Sequence, residues 1–76
     1  MESIEIEVMT QHYIGFLSVE PIDHKNSVFK VSINNNIIGR VQHIRKHDDI
    51  IWYSNEITDK ELVEQIGEWL NHHFFN

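Results

Sequence analysis

From Ser3 to Met9 apolar and polar residues alternate, with Ile4, Ile6 and Val8 on one side and Glu5, Glu7 and Met9 on the other. A period of two marks a strand buried on one face only. A polar break at Thr10-Gln11-His12 leads into a second strand from Tyr13 to Glu20, where Gly15 allows a bulge or a close backbone approach. Pro21 ends that strand or holds it at a sheet edge. Ile22 to Ser27 reads as a loop, and Phe29, Val31 and Ile33, alternating with Lys30 and Ser32, as a third strand. Asn34-Asn35-Asn36 signals a turn, because asparagine accepts positive φ better than other residues with a side chain, and Ile37 to Arg45 is the return strand of the hairpin. Ile38, Val41 and Ile44 cannot share one face at period two, which predicts a bulge near Gly39. Lys46-His47-Asp48-Asp49 forms the next turn, before a short strand, Ile50 to Ser54, that is bulky on both faces.

After residue 57 the period becomes helical. Thr58 reads as the N-cap, with Glu61 completing a capping box and Ile57 and Leu62 a hydrophobic staple. At 100° per residue Leu62, Val63, Ile66, Trp69, Leu70 and Phe74 fall on one stripe, opposite Glu61, Glu64, Gln65, Glu68 and Asn71. Burying those six apolar chains contributes roughly 9 to 18 kcal/mol gross, an upper figure because the unfolded chain is not fully extended. The helix must therefore dock on the sheet. The expected fold is α+β: an antiparallel meander of about five strands with one C-terminal helix packed on one face. One helix covers only one face of such a sheet, so the other is left to solvent, a second copy or a partner. Trp52 and Tyr53, as neighbours on a strand, point to opposite faces, so at least one large aromatic belongs to the uncovered side.

The pattern Phe29-x-Val31-x-Ile33, then Ile38-Gly39, Trp52 and Ile57-Thr58-Asp59-x-x-Leu62-Val63-x-x-Ile66-Gly67 resembles small uncharacterised bacterial proteins built as a β-meander followed by one helix. The resemblance runs from about residue 13 to residue 75; it implies that architecture and carries no activity.

Composition narrows the function classes. The chain has 76 residues, enough for a single domain, and no cysteine, which removes disulfide staples and thiolate metal sites. Twelve acidic against six basic side chains give a net charge of −6, a field that opposes phosphate backbones and anionic lipid. No apolar run is long enough to span a bilayer, and Met1-Glu2-Ser3-Ile4-Glu5 lacks the basic start of a signal peptide, which makes the cytoplasm the simplest location. Both ends of the chain are acidic, while residues 21 to 57 are near neutral, with a basic pair at Arg45-Lys46.

Candidate chemistry is sparse. The six histidines are His12, His24, His43, His47, His72 and His73. His43 and His47 have the four-residue spacing of a helical metal pair but fall in a strand and a turn, so a zinc site would have to assemble across elements from His43, His47 and Asp49. His72 and His73 suit the carbonyl end of the helix dipole. No nucleophile motif or phosphate-cradling glycine loop is present, and Asp48-Asp49 reads as a solvated turn rather than an acid–base pair. The chain is therefore read as non-enzymatic, with no cofactor. Tyr13, Phe16, Trp52 and Tyr53 would supply stacking for single-stranded nucleic acid, against the overall charge. The favoured reading is a protein-interaction module, docking a partner or a second copy on the uncovered sheet face, with Tyr13, Trp52 and Tyr53 as contacts because tyrosine and tryptophan are common interface anchors.

Overall fold

A computed structural model describes residues 3–23, 25 and 27–75. Met1, Glu2, His24, Asn26 and Asn76 lie outside the described residues, and with them part of the loop expected over 22–27. The elements run β1 (Ile4–Met9), β2 (Ile14–Pro21), β3 (Val28–Ile33), β4 (Asn36–Lys46), β5 (Asp49–Tyr53) and α1 (Lys60–Phe74). The strands form one antiparallel meander in the order β1-β2-β3-β4-β5. The α+β architecture expected from the pattern is the one observed. The sheet is curled, and α1 lies against its concave side in contact with both outer strands, β1 and β5.

Each turn follows from its residues. Thr10 is buried at the end of β1; its hydroxyl accepts from the His12 and Tyr13 amides and donates to the Tyr13 carbonyl, which reverses the chain. Asp23 closes the β2–β3 loop by accepting from the Ser27 hydroxyl and from the Ser27 and Val28 amides at 2.9 and 3.3 Å. Asn34 and Asn35 both take positive φ, 51° and 70°, as the mirror-image turns of two-residue hairpins require. His47 does the same at 57° between β4 and β5.

The bulge lies where the hydrophobic phase stumbles. Val31 faces Gly39 and Ser32 faces Ile37, so Ile38 is the extra residue. The shift lets Ile38 pack against the core on the same side as Val41, while Ile44 stays on the opposite face. Gly39, at φ 155°, is needed twice over, since a Cβ there would meet Glu56 Cβ and Ile57 Cγ1 at 2.9 Å.

The core fills the concave side: Ile6, Val8, Leu17, Val19, Phe29, Val31 and Val41 from the sheet against Leu62, Val63, Ile66 and Leu70 from the helix. Phe29 is fully buried, its ring centroid 5.7 Å from Trp52 and 5.2 Å from Phe74. The helix start differs from the expected capping box. Asp59, not Thr58, is the N-cap, accepting from the Glu61 and Leu62 amides at 3.1 and 3.3 Å. Glu61 is drawn away to accept from the Gln11 amide at 3.1 Å, so it does not close the box. The buried stripe is also narrower than the periodicity suggests, because Trp69 remains 45% exposed on its flank.

Candidate functional site

Strand parity decides what the convex, helix-free face of the sheet displays. Leu17 and Val19 of β2 point into the core, so Ile14, Phe16, Ser18 and Glu20 point out. Register then gathers neighbours around them. Met9 stands opposite Ile14 and Glu7 opposite Phe16. At this end of the sheet Ile14 is 70% exposed, Met9 69% and Phe16 58%, a contiguous apolar patch on β1 and β2. A second patch lies at the other end, where Ile44 pairs with Ile51 and Tyr53 with Gln42. Between the two runs a mostly polar strip of Ser18, Ser32 and the Glu20–Lys30 ion pair at 3.2 Å, interrupted by Ile37, which stands opposite Ser32 and is 63% exposed.

The three aromatic residues expected as partner contacts divide between the two sides. Tyr53 lies on the convex face and is partly exposed. Trp52 is turned to the helix side, where its ring packs near His43 at 4.7 Å and Phe75 at 6.1 Å and its Nε1 donates to Asn71 Oδ1 at 2.8 Å. Tyr13 precedes β2, packs partly against the core and donates its hydroxyl to the Phe16 carbonyl at 2.9 Å. Tyr13 and Trp52 are thus corrected from convex-face contacts to supports of the fold, because their side chains already have internal partners. Ile14 and Phe16 are out of phase with buried Leu17 and Val19, and Ile44 with buried Val41, a signal that alternation carries; β5 has no buried residue, so Ile51 is placed by its register with Ile44.

The proposed metal set is likewise not assembled. His43 lies on the concave side between the rings of Trp52 and Phe75, its centroid 4.9 Å from the latter. Asp49 stands opposite Lys46 in the register, at the far end of the turn that His47 occupies. Among the described residues no three histidine, aspartate or glutamate side chains converge as a metal site.

Two carboxylates are held below their ordinary titration range, and both act in the scaffold. The Ser27 hydroxyl, followed by the Ser27 and Val28 amides, stabilises ionised Asp23 in its loop. Glu56 is stabilised first by the Arg40 amide and then by the Arg40 guanidinium at 3.2 Å. With Ser54, whose hydroxyl donates to the Arg40 carbonyl at 2.6 Å, Glu56 covers the free edge of β4 beyond the end of β5.

No helix among the described residues is long and apolar enough to cross a membrane. A scan of protein-family models and searches of curated proteins and of solved structures return no match.

Proposed function

We propose that this protein is a small non-enzymatic interaction module that docks another protein chain on the convex face of its sheet. The observation that carries the reading is the in-register patch of Met9, Ile14 and Phe16, echoed by Ile44, Ile51 and Tyr53 across a polar strip. A large side chain that passes from water to full burial contributes about 1.5 to 3 kcal/mol, so the two patches offer far more binding energy than scattered surface apolars. The polar strip adds orientation, since a partner has to match Ser18, Ser32 and the Glu20–Lys30 pair.

Sedimentation equilibrium over a wide concentration range, in buffer with EDTA, separates self-docking from docking of a different chain. The decisive comparison is the Phe16→Lys, Ile51→Lys double variant, which is expected to lose association while its melting temperature stays close to that of the parent. A melting temperature lowered by ten degrees or more, roughly 1 to 3 kcal/mol for a domain of this size, would assign these side chains to folding instead.

A further inference from the structure

The outer strands of the sheet are finished differently, and the difference exposes a second surface, the β5 edge, which borders the convex patch at Ile51 and Tyr53. Along β1 the helix supplies hydrogen-bonding partners: Gln65 Oε1 accepts from the Met9 amide at 2.9 Å, Gln65 Nε2 donates to the Met9 carbonyl at 2.6 Å, and Trp69 Nε1 donates to the Glu7 carbonyl at 3.0 Å. Along β5 the helix makes its contact through the Trp52 side chain, with Gly67 backing onto the ring and Asn71 Oδ1 accepting from its Nε1 at 2.8 Å. On either side of that contact lies a trough. One, of about 410 Å³, is bordered by Tyr53, Asn55, Lys60 and Glu64. The other, of about 500 Å³, is bordered by Asp48, Asp49, Glu68 and His72.

The register identifies the backbone groups at that edge. A two-residue loop makes Lys46 and Asp49 the first hydrogen-bonded pair, and alternate pairs follow it at Ile44–Ile51 and Gln42–Tyr53. The amides and carbonyls of Ile50 and Trp52 then point away from β4, as those of Met9 do on β1. We propose that this β5 edge takes an extended basic segment of another protein as a sixth strand.

Charge selects that occupant. Side chains of an added strand alternate between the two faces. Those on the helix side meet troughs bordered by Asp48, Glu64 and Glu68, with Lys60 at one end; those on the convex side lie beside Ile51 and Tyr53. Lysine or arginine alternating with apolar residues satisfies both. A second copy fits worse, because pairing β5 with itself about a two-fold axis brings Glu64 and Glu68 of two chains of charge −6 together.

The test uses the full chain, ¹⁵N-labelled, and a short blocked peptide of alternating lysine and valine, with a glutamate–valine peptide as control. Binding of the lysine peptide is expected to slow amide exchange at Ile50 and Trp52, to weaken with salt, and to exceed binding of the glutamate peptide. The Glu64→Lys, Glu68→Lys double variant, folded by its melting curve, is expected to bind the lysine peptide about tenfold more weakly or worse. Absence of binding, equal binding of both peptides, shift changes confined to Ile14 and Phe16, or a β5-paired dimer of the free chain would each overturn the proposal.

Discussion

The two outer strands of one sheet, β1 and β5, meet opposite flanks of the same helix and are treated differently. On the β1 flank, Glu61, Gln65 and Trp69 reach backbone groups of Gln11, Met9 and Glu7 and substitute for a missing neighbouring strand. On the β5 flank the contact is between side chains, Asn71 with Trp52 Nε1, and through the close approach at Gly67. An unpaired strand edge is a template for another chain unless something covers it. One edge is thus covered by side chains of the helix, and the other lies beside a trough.

The largest effect is expected at Gly67. A Cβ at that position would lie 2.5 Å from Trp52 Cδ1 and Cγ, so Gly67→Val has to push the helix off β5. The expected cost is about 3 kcal/mol, the upper range for overpacking, read as a fall in urea midpoint with the slope unchanged. A smaller effect is expected from uncovering β1. Gln65→Ala removes both hydrogen bonds to Met9; because the site is open to water the expected loss is about 1 to 2 kcal/mol. In the same variant the freed β1 edge is expected to associate with other chains in sedimentation more than the parent does. Smallest is the helix start: Asp59→Ala is expected to cost about 1 kcal/mol and Thr58→Ala less than about 0.5, measured by thermal melts side by side. The reverse order would restore Thr58 as the cap.

At the helix start the local pattern does not decide the cap. Thr58 and Asp59 are both good capping residues, and the choice went to Asp59 because Glu61, the reciprocal member of a capping box, is engaged by the Gln11 amide fifty residues away in the chain. Trp69 shows the same limit: helical periodicity assigns it to the buried stripe, but the helix lies along the β1 edge, where the indole finds the Glu7 carbonyl and keeps part of its ring in water. Tyr13 and Trp52 were proposed as partner contacts by residue type, and both are occupied within the fold.

The elements, their order and the parity of β1 and β3 are legible along the chain, because they rest on local steric preference and on an alternation that a one-residue slip would invert; β5, bulky at every apolar position, carries no such mark. The positive-φ asparagines, the bulge beside Gly39 and the division of Trp52 from Tyr53 all follow from neighbours in the chain. How far the sheet curls, where the helix lies against it and therefore which edge its side chains cover are settled in the folded whole. That depends on packing volumes summed over the whole core, such as the missing Cβ at Gly67 that admits Trp52, and no local pattern carries such a sum.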